Sequence, residues 1–153
     1  MREFFASTGH LLFVCLGNYC RSPTAEAVKR ALAPDIEVDS AGTGDWHIGD
    51  PPHGSAIRVA AARGYDMSAL RGRKIGIADF GRFDRIVVMD SANLRAVEAL
   101  RPDGADVPIS RLLDHVADTP MRDVPDPYMT GDFETALDLI EAGCRGLLGS
   151  LRA

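Results

Sequence analysis

The chain predicts an α/β fold, a small parallel sheet of about four strands with helices on both faces, and three observations carry that prediction. Two runs, His10–Cys15 and residues 85–89, are short and almost wholly apolar, as strands covered on both faces are. The segments that follow them space their apolar residues as helices do. Strand and helix signals alternate along the chain, which implies right-handed crossovers between parallel strands. The result is a flavodoxin-like three-layer sandwich, and ligands in such sheets bind beyond the carboxyl ends of the strands.

The first strand, His10–Cys15, runs into a loop at Gly17-Asn18. Ser22-Pro23 then suits a helix start, with serine as cap and proline at the first helical position, and Ala25, Val28 and Leu32 repeat at helical spacing up to Pro34. Residues 36–41 alternate and read as a second strand. The turn Asp50-Pro51-Pro52-His53 precedes an alanine-rich helix over residues 54–64, with Ile57 and Ala61 on one stripe. Residues 85–89 form a central strand, Ser91 caps a helix over residues 92–100, and residues 107–109 give a short last strand. Residues 121–131 are rich in Pro, Asp and Gly and read as a loop. Phe133–Leu151 closes the chain as a helix with Ala136, Leu137, Ile140, Leu147 and Leu148 on its apolar face. With no repeat or linker, residues 1–153 read as a single domain.

The 153 residues suffice for one buried core, and 46% hydrophobic with 25% charged residues is the balance of a soluble globular protein. A net charge of -5 argues against nucleic acid or an anionic membrane as partner. Residues 1–10 lack a basic region followed by an apolar run, so a cytoplasmic protein is expected. Three cysteines do not make a disulfide framework, and chemistry is the better explanation for at least one.

The segment Cys15-Leu16-Gly17-Asn18-Tyr19-Cys20-Arg21-Ser22 sets a thiol and a guanidinium at the two ends of a strand-to-helix loop. Its amides, the positive end of the following helix and a bidentate Arg21 make a cradle for a dianion. The same surroundings favour the thiolate form of Cys15. Gly17 permits a positive φ, Asn18 can brace the loop through its side chain, and Ser22 is placed to donate a hydroxyl to the thiolate. An apolar strand ending in cysteine is by itself most often a buried small hydrophobe. Arg21 at the far end of a Gly-Asn loop tips the balance toward chemistry.

These residues resemble the low-molecular-weight protein tyrosine phosphatases, whose signature is a Cys-x-Gly-Asn-x-Cys-Arg-Ser-Pro loop near the N-terminus. The resemblance continues through Asp39-Ser40-Ala41-Gly42-Thr43, Asp45-Trp46, Met89-Asp90-Ser91 with Asn93-Leu94, and Asp126-Pro127-Tyr128. It implies a metal-independent, cofactor-free hydrolysis of phosphotyrosine and aryl phosphates by a monomer. Cys15 would be the nucleophile that forms a phosphocysteine, Arg21 the phosphate clamp and Asp126 the general acid and then base. Leu16, Gly17, Asn18, Tyr19, Cys20 and Ser22 would bind phosphate or another oxyanion, while Trp46 and Tyr128 would wall the cleft. For Cys20 the resemblance implies a reversible disulfide with Cys15, beside the plain alternative of a small buried residue; Cys144 reads as core.

Two departures stand out. Many members have a histidine before the segment matching Leu70-Arg71-Gly72-Arg73-Lys74-Ile75, so the network bracing Asn18 must be built differently here, with Ser40 as a candidate. Many also have two tyrosines after Asp-Pro, where this chain has Tyr128-Met129. Arg71, Arg73 and Lys74 either flank the cleft or form a solvated face. Competing readings are an arsenate reductase, which needs mid-chain cysteines that are absent between Cys20 and Cys144, and a protein-arginine phosphatase, which has a small threonine where Tyr19 stands. A non-catalytic phosphoprotein-binding module would be expected to lose Cys15 or Asp126, and both are present.

Overall fold

The structure, a computed structural model, describes residues 9–151. Four parallel strands, β1 (His10–Cys15), β2 (Glu37–Gly42), β3 (Arg85–Val88) and β4 (Ile109–Arg111), form one sheet in the order β2-β1-β3-β4. The connections leave β1 toward β2 on one side and return to β3 on the other. The carboxyl end of β1 is therefore the point where strand order reverses, the usual place for a ligand in such sheets.

The helices are α1 (Arg21–Leu32), α2 (Gly54–Ala62), the single turn α3 (Asp79–Arg82), α4 (Ser91–Leu100), the single turn α5 (Pro127–Thr130) and α6 (Phe133–Leu151). Alternate residues of β1 serve opposite layers. Leu11, Phe13 and Cys15 join a core with Ala25, Val28, Leu137, Ile140 and Leu147 of α1 and α6, whereas Leu12 and Val14 meet Ile86, Val88, Phe80 and Val97. Helices thus cover both faces, and the three-layer α/β architecture is as predicted. Arg63, just after α2, ties that helix to α6 by ion pairs with Glu134, Asp138 and Glu141.

Several local expectations are corrected. Helix α1 begins at Arg21 with Cys20 at its cap position, so Ser22 does not cap it, and Pro23 lies in the first turn rather than at its first position. Ser22 is spent on the loop instead. Leu32 is exposed because it sits in the last turn, whereas Ala25 and Val28 are buried. In α2 the buried stripe is Ala56 and Ala60, with Ile57 only flanking it and Ala61 exposed. The cap of α4 is Asp90, whose carboxylate accepts from the Asn93 amide, so the helix starts at Ser91 itself. Strands β2 and β4 lie later than expected, since pairing with β1 and β3 rather than apolar content defines them. Within the supposed loop of residues 121–131, Asp126-Pro127 opens α5, which Gly131 ends in a left-handed conformation at φ 76°.

Candidate active site

The loop after β1 is held by its neighbours. The positive φ expected of Gly17 belongs to Asn18, at 52°, a conformation that asparagine tolerates better than other side-chain-bearing residues. Asn18 is buried. Its Nδ2 donates to Ser22 Oγ at 2.9 Å and Ser40 Oγ at 3.0 Å, and its Oδ1 accepts from the Arg73 amide at 2.9 Å. The loop is thereby pinned to α1, β2 and the 70–75 segment at once. Gly42 allows this closeness: a Cβ there would sit 2.8 Å from Leu16 O and 2.9 Å from Asn18 N.

Where a family histidine was missed, the bracing comes from backbone and acid. Arg73 lends its amide to Asn18, while its guanidinium is held by Asp39 and Asp79, so it does not flank the cleft as a free charge. Arg71 donates to Ser68 O and Leu70 O. Ser40 passes its own hydroxyl to Glu26 Oε1 at 2.7 Å, and Arg30 meets the other oxygen of that buried carboxylate at 2.6 Å. Burial raises the Glu26 pKa, against the pull of Ser40 and Arg30.

Cys15 Sγ lies 3.1 Å from Ser22 Oγ, the hydroxyl that was expected to serve the sulfur. Arg21 is 3% exposed, and its Nη1 donates to Asp90 Oδ2 at 2.7 Å and to Val124 O at 2.9 Å. Those two bonds fix the guanidinium plane. Among the described residues they leave its Nε–Nη2 edge with only a long contact, 3.7 Å from Nη2 to Asp126 Oδ2. Burial opposes the Arg21 charge, but the Cys15 sulfur, Asp90 and Asp126 outweigh it and raise its pKa. The cation is therefore permanent. Asp126 divides its oxygens: Oδ1 accepts from the Tyr128 amide as the cap of α5, and Oδ2 faces Arg21.

These groups sit in an open cleft of about 640 Å³ lined by Cys15, Leu16, Tyr19, Arg21, Trp46, His47, Asp126, Tyr128 and Met129, among others. Trp46 and Tyr128 are 66% and 61% exposed, as cleft walls and not core residues would be. Met129, where a second tyrosine was noted as missing, is also a lining residue. Tyr19 stacks on His47, with ring centres 3.7 Å apart and planes within 2°. Cys20 is buried at the foot of the cleft, and burial, then the charges of Cys15 and Asp126, push its thiol up to about 12. Cys144 lies in the core as expected.

Each residue that the resemblance assigned to the site thus borders one cleft or braces its loop. Asp90, Glu26, His47 and His53 were missed as site residues. Asp90 had a readable signal, a carboxylate at the carboxyl end of a central strand. His53 had less: its ring caps α2 by accepting from Ser55 N, and its amide donates to Tyr19 O, so it fastens the loop to a helix distant in sequence.

Comparison with known proteins agrees with the fold. The family model described as low molecular weight phosphotyrosine protein phosphatase matches residues 10–153. The chain is 42% identical over 148 residues to the low molecular weight protein-tyrosine-phosphatase YfkJ of Bacillus subtilis, covering 93% of this chain and 95% of that protein. The crystal structure of YfkJ superposes with a TM-score of 0.89 over 94% of each chain. A protein tyrosine phosphatase from Entamoeba histolytica, crystallised with Hepes in its active site, is 34% identical with a TM-score of 0.87 over 94% of this chain and 97% of its own. Wzb of Vibrio vulnificus in complex with benzylphosphonate gives 28% identity and a TM-score of 0.82 over 94% of this chain and 99% of its own. On fold, site geometry and a family match spanning nearly its whole length, the chain belongs to the low-molecular-weight phosphotyrosine protein phosphatase family.

Proposed function

We propose that this single-domain chain hydrolyses phosphotyrosine in proteins through a phosphocysteine intermediate. The observation that carries the reading is the convergence of Cys15 Sγ, Ser22 Oγ and the Arg21 guanidinium on one loop, with Asp126 Oδ2 3.7 Å from that guanidinium. The substrate phosphate sits on the loop amides and the Nε–Nη2 edge of Arg21. The Cys15 thiolate attacks phosphorus, the P–O bond to the tyrosine ring breaks, and Asp126 Oδ2 delivers its proton to the leaving phenolate oxygen. Water then attacks the phosphocysteine, its proton passes to Asp126, and the S–P bond breaks to return the thiolate, which Ser22 Oγ stabilises. Catalysis rests on positioning and on charge stabilisation by Arg21 and the amides. The steps need no metal ion.

Three features support an aryl phosphate as substrate. Trp46 and Tyr128 offer flat faces at the mouth, the stacked Tyr19–His47 pair adds a further aromatic surface to the lining, and the similar Wzb was crystallised with benzylphosphonate. Among the described residues no helix is long and apolar enough to cross a membrane. A thiol nucleophile that must stay reduced suits the cytoplasm.

The test is hydrolysis of p-nitrophenyl phosphate and a phosphotyrosine peptide with chelator present, by wild type, Cys15→Ser and Asp126→Asn. Cys15→Ser is expected to abolish turnover, and Asp126→Asn to lower it by about 100-fold or more, the scale of general acid catalysis. Folded, reduced wild type that is inactive on both, or that prefers a phosphoarginine peptide, overturns the proposal.

A further inference from the structure

The N-terminus of α4 joins two carboxylates that come from different parts of the chain. One is Asp90, which caps the helix and holds Arg21. The other is Asp123. Its Oδ1 accepts from the Ser91 amide at 3.0 Å and from the Ser91 hydroxyl at 2.9 Å, and lies 3.8 Å from Arg111 Nη1. Arg111 Nη1 in turn donates to Ser91 Oγ at 2.9 Å, so Asp123, Ser91 and Arg111 close a ring at the ends of β3 and β4.

The next residue is fixed as well. Val124 is buried, its amide donates to Met89 O at 2.9 Å, and its carbonyl takes the 2.9 Å bond from Arg21 Nη1. Pro125 then separates this anchor from Asp126, and Pro127 follows. Prolines fix their own φ and restrict the residues before them, so the segment from Val124 to Asp126 has little freedom to bend. Asp126 Oδ1 is occupied by the Tyr128 amide, which leaves the position of Oδ2 to the backbone on either side.

We propose that Asp123 is a positioning residue for Asp126: it latches the start of the acid-bearing segment to the N-terminus of α4, and so sets where Oδ2 stands relative to the leaving-group oxygen. The inference rests on the proposed role of Asp126 as general acid. Asp123 itself touches no substrate. It is 49% exposed on its side chain, and an ordinary ion pair so exposed would contribute little. Here the carboxylate instead satisfies a free amide of a helix N-terminus and a hydroxyl, bonds with direction as well as charge.

A mispositioned general acid has a signature that general loosening of the site does not. Protonation matters more as the leaving group becomes more basic, so phenyl phosphate needs the acid far more than p-nitrophenyl phosphate does. The quantity to measure is kcat/KM for a series of aryl phosphates, on wild type, Asp123→Ala, Asp123→Asn, Ser91→Ala and Asp126→Asn. Asp123→Ala is expected to lower kcat/KM for phenyl phosphate about 10-fold more than for p-nitrophenyl phosphate, since a displacement near 1 Å can cost about 100-fold. Asp123→Asn keeps an acceptor for Ser91 and should restore most of the loss.

Ser91→Ala keeps the helix amide but loses the hydroxyl, and should steepen the same dependence more weakly. It serves if Asp123→Ala does not fold. Equal losses on all substrates, no loss, or an Asn variant as impaired as Ala overturns the latch. If wild type itself shows no activity, or Asp126→Asn leaves the leaving-group dependence unchanged, it is the role of Asp126 that fails, and the latch falls with it.

Discussion

Replacing Asn18 tests whether the loop is held as described. In Asn18→Ala the hydrogen bonds to Ser22 Oγ, Ser40 Oγ and the Arg73 amide all disappear. At a net of about 1 kcal/mol each they sum to about 3 kcal/mol. Alanine must also hold the φ of 52° that asparagine occupies, which adds about 1 kcal/mol. The expected destabilisation is thus about 4 kcal/mol, a large part of the roughly 5–15 kcal/mol that holds a domain together. Asn18→Gly loses the same bonds without the backbone penalty, so on this count it should be about 1 kcal/mol less damaging than Ala. Urea unfolding followed by far-ultraviolet circular dichroism reads both, given an unchanged denaturant slope. If Ala costs less than about 1 kcal/mol, and Gly no less than Ala, the bonds at Asn18 do not hold the loop and the account of its geometry is wrong.

Other expectations follow from single contacts. Gly42→Ala pushes a methyl group against the backbone of residues 16–18, so inorganic phosphate should inhibit the variant about 10-fold more weakly than wild type; an unchanged inhibition constant would show that the loop can shift without loss. Burial lowers the pKa of His115, so the unfolded chain takes up its proton first, and this contribution to stability is present above about pH 6.5 and lost as pH falls toward the lower folded value. His115→Gln should flatten the stability-versus-pH curve in that window, and an unaltered slope would refute the assignment. Burial pushes the Cys20 and Cys144 thiols up to about 12, so iodoacetamide at pH 8 should leave both unmodified in the folded protein and label them after denaturation. A Cys20 adduct on folded protein, mapped by mass spectrometry, would contradict this.

What the sequence made legible was what neighbours in the chain determine. The apolar runs at residues 10–15 and 85–88 became strands because both faces are apolar, Leu11, Phe13 and Val87 on one and Leu12, Val14, Ile86 and Val88 on the other. Helix α6 followed from its spacing of Ala136, Leu137, Ile140 and Leu147. Boundaries set by pairing or capping were not legible in this way. Strand β4 is only three residues with no fully buried member, so nothing in its composition separates it from residues 107–108. Asp90 won the cap of α4 over Ser91 because its carboxylate reaches the Asn93 amide while Ser91 turns to Asp123 and Arg111.

The candidate site divides along the same line. Cys15, Asn18, Arg21 and Ser22 lie within one turn of chain, and their chemistry could be argued from that alone. Asp126 could be assigned only through the family resemblance, because Asp-Pro by itself reads as a turn. The support beneath the loop depended on something no local pattern carries, the register of β2 against β1. Phe13 pairs with Ser40 and Cys15 with Gly42. That register puts a hydroxyl under Asn18 and a residue without a Cβ under Leu16. A slip by one residue would turn Ser40 to the opposite face and bring Ala41 or Thr43 to the place of Gly42, closing the space the loop occupies. The bonds that Ser40 accepts from Asn18 and donates to Glu26 therefore serve two ends at once. They brace the loop, and they penalise any register of the second strand in which the loop cannot form.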